Sequence, residues 1–286
     1  MIFRSKVLPE LRRLHPERDA QRMMLLTCRC DFPFDTTRAL EFALFRTFCV
    51  PSVGALLDRT QEFGKRTQRR YDDTDLIMSE IVEHGYESER GKRAIARMNA
   101  IHGRFAISNA DFLYVLSTFV FEPIRWIERF GWRSLEETEK EAMFFFWRAV
   151  GERMHIAEIP TSAAALEEYN RAYEREHFRG NAASSRVAEA TMRMFAGWAP
   201  FPLRRVVPVV MAALMDEPLR RALNLQAPPA WVERGVASAL RGRGVLAEGF
   251  WPRKIPSLRT NMRHRTYPDG YRIETLGPPG EKQPTG

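Results

Sequence analysis

Lysine is nearly missing from this chain, with six among 286 residues against thirty-eight arginines. Cysteine is scarcer still: Cys28, Cys30 and Cys49, an odd number gathered early in the sequence. That rules out a disulfide framework and fits a reducing compartment. Cys28-Arg29-Cys30 has no second pair or nearby histidine to complete a zinc site, so it reads as structural. No run approaches the roughly 20 apolar residues of a transmembrane helix. The charged start, MIFRSKVLPELRRLHPERDAQR, has no apolar stretch of a secretory signal, and the expected location is cytoplasmic. The stretch VVPVVMAALM, Val206 to Met215, is too short to span; it reads as a buried core helix or, given its arginine flanks, as an interfacial one that leaves peripheral membrane contact open. Also absent are a glycine-rich dinucleotide turn, a P-loop, a G-x-S-x-G elbow and an H-E-x-x-H zinc motif.

What is present describes a globular protein: 44% apolar and 28% charged residues. The net charge of +8 invites a nucleic-acid partner, and Arg241, Arg243, Arg253, Lys254, Arg259, Arg263 and Arg265 form its densest region. Arginine serves buried ion pairs equally well. A solvated basic surface is therefore favoured over nucleic acid, with anionic lipid or nucleic acid binding by a non-catalytic helical module as the alternative function.

Helical signals dominate, and no run of strands appears, so the expected class is all-α. A helix is predicted from Leu40 to Cys49, with a restart at Pro51. Another begins at Asp73 or Thr74 and ends at Gly85. Gly91 to His102 is bounded by glycines, with Ile95, Met98 and His102 on one face and Arg97 on a different stripe. Ser108-Asn109-Ala110-Asp111 caps a nearly all-apolar helix on which Asp111, Tyr114, Thr118 and Glu122 form a polar file. Buried without partners, such groups cost about 1–3 kcal/mol each, and Arg125 is the nearest candidate to satisfy them. Ser134 to Glu137 reads as a capping box. Tyr169, Tyr173 and His177 line one face of the helix that follows Pro160. Further helices are predicted over Ser185–Phe195, Leu203–Met215, Leu219–Leu223 and Trp231–Leu240. The expected organisation is an N-terminal extension (1–30), a helical domain (31–249) and a Pro/Gly/Arg-rich tail (250–286), wrapped on the domain at first and loose at its end.

Of six histidines, His102 and His177 have the most patterned surroundings. Each on its own reads as a hydrogen-bonded core residue; two together, beside a buried polar file, favour an active or cofactor site. An imidazole in an aromatic pocket with arginines nearby suits an axial haem ligand. The same imidazoles with Asp111 or Glu122 suit a non-haem metal. Phe144, Phe145, Phe146 and Trp147 read as core.

The string RAIARMNAIHGRFAISNADFLYVLSTFVFEPIRWIERFGWR, with QRRYDDTDLIMSEIVEHGYES before it and NRAYEREHF after it, resembles the core of the MpaB-type oxygenase family. That family shares its catalytic domain with rubber oxygenase, the latex-clearing protein, and the likeness runs from about Asp31 to the closing YPDGYRIETLGP. The resemblance implies a globin-like helical core and an oxygenase cleaving carbon–carbon double bonds of isoprenoid chains. Its implied partners are dioxygen and a small apolar substrate. It also implies haem b on one axial histidine in the rubber-oxygenase branch, with Arg97 near the cofactor. In that branch the ligand lies in a W-V-H-A-T-like string; here the match is Tyr114 to Thr118, with Leu116 at the histidine position. Leucine cannot ligate iron. Either His102 or His177 is then the axial ligand, or another metal such as non-haem iron is used, or no haem is bound. Arg97 is expected to pair with a propionate or polarise oxygen. Asp111 and Glu122 are candidates for acid–base work, or structural partners of Arg125.

Overall fold

The computed structural model describes residues 5–278, and among these every regular element is helical. Helices α1 (Leu8–Leu11) and α2 (Ala20–Leu26) lead through a π turn at Thr27–Asp31 into α3 (Pro33–Phe48) and α4 (Pro51–Thr60). Then follow α5 (Glu62–Lys65), α6 (Thr67–His84), α7 (Glu89–His102), α8 (Asn109–Phe130) and α9 (Glu137–Arg153). The order closes with α10 (Ala163–His177), α11 (Ala182–Trp198), α12 (Val207–Leu214), α13 (Glu217–Ala222) and α14 (Ala230–Gly244). The all-α expectation holds.

Several boundaries moved. Helix α6 starts at Thr67, not at Asp73 or Thr74. Those two do not cap: Asp73 accepts from Tyr267 and Thr74 from Arg70, so the helix extends upstream. Helix α9 starts at Glu137, and its reciprocal cap is Glu136 with Glu139, whose carboxylate accepts the Glu136 amide at 2.9 Å, rather than the Ser134 box. The single helix expected over Leu203–Met215 is a 3₁₀ turn (Phe201–Arg205) followed by α12. Pro208 sits in the first turn of α12, where its missing N–H has no cost.

Helix α8 is the centre. Ser108 Oγ accepts the Asp111 amide at 3.0 Å and fixes its start. Its apolar faces pack against α3, α9, α10 and α14, which is why its sequence shows so little polarity. One buried arginine joins three of these elements. Arg46 of α3 pairs through Nε with Glu122 of α8 at 2.8 Å and through Nη1 with Glu174 of α10 at 3.1 Å. Its Nη2 reaches Asp216, the side-chain cap of α13. Tyr114 OH donates to the same Glu174 at 3.1 Å. Burial works against the charge on Arg46, but Glu122, Glu174 and Asp216 outweigh it and raise its pKa well above the ordinary value. Arg125 does contact Glu122, at 3.1 Å, but as a half-exposed second partner. The main counter-charge comes from a helix far away in sequence.

The tail is held on α6 by that helix's acids. Glu83, itself paired with buried Arg29 at 2.6 Å, accepts the Arg259 amide at 2.8 Å and the Thr260 amide at 3.0 Å. Asp75 accepts Arg259 Nε at 2.8 Å, and Asp72 accepts the Thr266 amide at 2.8 Å. Tyr271 OH donates to Glu80. Arg243 is likewise internal, pairing with Glu248 at 2.9 Å. In the basic C-terminal region Arg243 and Arg259 are thus paired with carboxylates, while Arg241, Lys254, Arg263 and Arg265 are exposed. The end expected to be loose, residues 279–286, lies outside the described residues, as do 1–4.

Removing Arg46 leaves the buried Glu122 and the largely buried Glu174 facing each other with little solvent, beside the more exposed Asp216. Arg46→Met should destabilise the fold by about 3–5 kcal/mol, the usual cost of orphaning a buried ion-pair partner. Adding Glu122→Gln should recover part of the loss. Urea unfolding measures both; a loss within 1 kcal/mol for the single variant would show that the cluster is not needed.

Candidate functional site

Beside α8 lies an apolar cavity of about 210 Å³. Its walls come from α3 and α4 (Leu44, Val53, Leu57), α6 (Arg70, Ile77, Met78), α7 (Met98, Ile101, His102), α8 (Asp111, Phe112, Val115, Leu116, Phe119) and α9 (Trp147, Val150, Met154). Gly277 and Pro278 of the tail complete it. Most of this lining is hydrocarbon, which suits a small apolar occupant.

Two polar atoms on the lining residues have no protein partner. One is Nδ1 of His102, the other Nε1 of Trp147; both are fully shielded from solvent. His102 stands edge-on to Phe112 at 5.4 Å, and Trp147 stacks on Phe119 at 5.0 Å. Burial, and then the nearby Arg70 cation, lower the His102 imidazole to about 4. The residue is therefore neutral at physiological pH, with an unused nitrogen. A buried group without a hydrogen-bond partner is uncommon and points to something that binds there.

Arg70 is the cavity's cation. Its guanidinium lies over the Phe63 ring at 5.4 Å and donates to Thr74, and burial lowers its pKa. Three carboxylates also line the cavity: Glu62 and Asp73, whose charges act on Arg70, and Asp111, which is already satisfied. Ser52 Oγ donates to it at 2.9 Å and Tyr173 OH at 2.7 Å.

The remaining sequence candidates lie elsewhere. Glu122 is in the Arg46 cluster and does not line the cavity. His177 shares a face with Tyr169 and Tyr173, as expected, and stacks on Tyr173 at 4.1 Å. It is 40% exposed beside Glu176, however, and is not brought to His102. Arg97 is not among the residues lining the cavity, and its Nε donates to the Leu276 carbonyl at 2.7 Å. That bond holds the tail segment whose Gly277, at φ +88°, lies so close to Ile101 that a Cβ would sit 2.4 Å from it. Leu116 does line the cavity, packed so tightly on Gly151 that a Cβ there would meet it at 2.5 Å. Sequence reasoning missed Arg70 and Trp147 as wall residues. Arg70 was visible in principle, since Thr74, Ile77 and Met78 follow it at helical spacing and line the same wall.

Two outcomes follow from this geometry. The unfolded His102 titrates near 6.5 and the folded one near 4, so between these values the folded state binds fewer protons. Stability from this group is present above about 6.5 and is lost as pH falls toward 4. His102→Gln should accordingly flatten the fall in Tm across that window; an unchanged slope by calorimetry would contradict a buried neutral imidazole. For the tail, Arg97→Ala should free the segment around Leu276, so that trypsin cuts after Arg272 several-fold faster than in the parent chain. Equal cleavage rates would mean that the Arg97 bond does not hold the strap.

Comparison with known proteins agrees with the geometry. The family model described as the ER-bound oxygenase mpaB/B'/Rubber oxygenase catalytic domain matches residues 39–246. Among curated relatives, the ER-bound oxygenase mpaB' of Penicillium brevicompactum is 30% identical over 220 residues, 70% of this chain and 52% of the relative. The ER-bound oxygenase mpaB of the same species is 36% identical over 133 residues, covering 44% and 34%. That of Penicillium roqueforti (strain FM164) is 33% identical over 147 residues, 49% of each. The chain spans about a third to a half of these relatives' lengths. The match takes in α4 to α14 and every helix that lines the cavity, and by it the chain belongs to the mpaB/B' and rubber oxygenase catalytic-domain family.

Proposed function

We propose that this chain is an oxygenase that uses haem b, with His102 as its protein ligand, and acts on a small apolar substrate; the cavity of about 210 Å³ suits the substrate and must open further to seat the macrocycle. The observation that carries the reading is the unpartnered His102 Nδ1, shielded from solvent on the wall of a hydrocarbon-lined cavity and held neutral. Neutral imidazole is the ligating form. Among the described residues no group of three histidine, cysteine or carboxylate side chains is placed to hold a metal. A non-haem iron centre draws on two histidines and a carboxylate, whereas haem would need a single donor from the chain. The donor set therefore fits haem better than non-haem iron. His177 is too exposed and too far along α10 to share the role.

When bound, haem supplies the dioxygen chemistry. The chain's own residues do the rest. His102 holds the group from α7. Arg70, with Glu62 and Asp73 beside it on the lining, offers a half-buried positive charge for a carboxylate end, the role that Arg97 cannot fill while its Nε is bound to Leu276. Leu57, Phe119, Val150 and Met154 bind the hydrocarbon part of a substrate and keep water out. Trp147 Nε1 carries a proton that it can donate to a bound polar atom. Asp111 stays fixed by Ser52 and Tyr173, which suits positioning more than proton transfer.

Reconstitution with hemin tests the reading. The parent chain should show a Soret band and about one iron per chain. His102→Ala should lose both, while His177→Ala keeps both. No Soret band in the parent chain, or one that survives His102→Ala, would overturn the assignment.

A further inference from the structure

The segment between α11 and α12 breaks the usual rule for large apolar side chains. Phe201 is 80% exposed, Leu203 54%, Val206 49% and Val209 44%, and they are close neighbours in sequence. The opposite face of α12 is ordinary core: Met211, Ala212 and Ala213 are buried. The short helix that reads as either core or interfacial is thus both, split along its length and across its faces. Contiguous exposed apolar surface of this kind marks a place where something binds.

The charge around it says what. From Ala190 to Met215 the chain has no aspartate or glutamate, but it has Arg193, Arg204 and Arg205. Arg204 touches only the neighbouring Ala199 carbonyl, and Arg205 has no partner among the described residues. Both are exposed and lie between the exposed apolar side chains. Elsewhere many of the chain's arginines are paired with carboxylates, Arg46, Arg133 and Arg259 among them. A second copy is a poor occupant, because a two-fold contact through this patch would set Arg204 and Arg205 against their own images. An apolar group flanked by unpaired cations is instead the pattern that seats in the interface of an anionic bilayer.

We propose that Phe201, Leu203, Val206 and Val209, with Arg204 and Arg205, form a docking surface for an anionic lipid membrane. The aromatic and aliphatic side chains enter the headgroup region while the two guanidinium groups stay at the phosphate level. The inference does not depend on the cofactor, since none of these residues lines the cavity.

Vesicle flotation of the full chain tests it, with phosphatidylcholine alone and with phosphatidylcholine plus phosphatidylserine. The parent chain should float with the anionic vesicles and far less with the neutral ones. Arg204→Ala with Arg205→Ala should weaken that partitioning roughly 25-fold, at about fivefold per basic side chain. Phe201→Ser should weaken it independently without changing the helical circular dichroism. Absence of flotation, or flotation indifferent to lipid charge and to both variants, overturns the proposal. So does sedimentation showing a parent dimer that Phe201→Ser makes monomeric, which would assign the patch to a second copy. If one variant fails to fold, the other and the two-vesicle contrast still decide.

Discussion

A charge removed from water must find its opposite, and in this protein Arg46 is where that requirement binds hardest. It stands where α3 meets α8 and α10, with Glu122, Glu174 and the α13 cap Asp216 around it. Tyr114 is bound to the same carboxylate, and Tyr173 stacks on Tyr114 at 4.7 Å and then donates to Asp111. A chain of contacts therefore runs from the ionic cluster along α8 to the cavity wall. The polar file on α8 is not a failure of burial. It is one strand of a network whose other members come from four different helices.

That network bears on the site by contrast. Asp111, at the cavity, has two donors; Glu122, in the cluster, has two cations. Among the described residues, most other buried side-chain atoms without a hydrogen-bond partner are guanidinium nitrogens; those of His102 and Trp147 are the two that belong to residues lining the cavity. Leu116 completes the contrast. At the position where the rubber-oxygenase branch is expected to carry its histidine, the side chain is apolar and locked against Gly151, so the one available imidazole is on α7.

Much of this was legible in the sequence, and the reasons differ from one element to the next. The fold class was legible because helical spacing and caps are local: Ser88, Ser108, Ser162 and Asn181 each accept a backbone amide at a helix start. His102 was legible because its face is set by the helix it sits on. Arg46 was not legible, since its partners are as many as 170 residues distant, and nothing local distinguishes it from an exposed arginine. His177 was misleading for the opposite reason: its aromatic face is real, but whether that face is buried depends on what packs over it, and at His177 little does. Arg70 was hidden in a surface-like cluster with Arg69, although only one of the two lines the cavity.

The shortage of lysine has a structural counterpart. The α6 acids bind the tail through Arg259, through backbone amides and through tyrosine hydroxyls, geometries in which the donor direction is fixed. Arg46 serves three carboxylates with three different nitrogens, which one ammonium at the end of a flexible stem does not do in a fixed fork. Arginine is also less strongly hydrated, so burying it costs less than burying lysine. Much of the arginine is thus engaged in joining helices and in holding the tail on α6. Of the part that remains outside, Arg204 and Arg205 are set among apolar side chains that water does not favour. Charge left unpaired beside hydrocarbon left uncovered is a combination that a surface meant only for water has no need to keep.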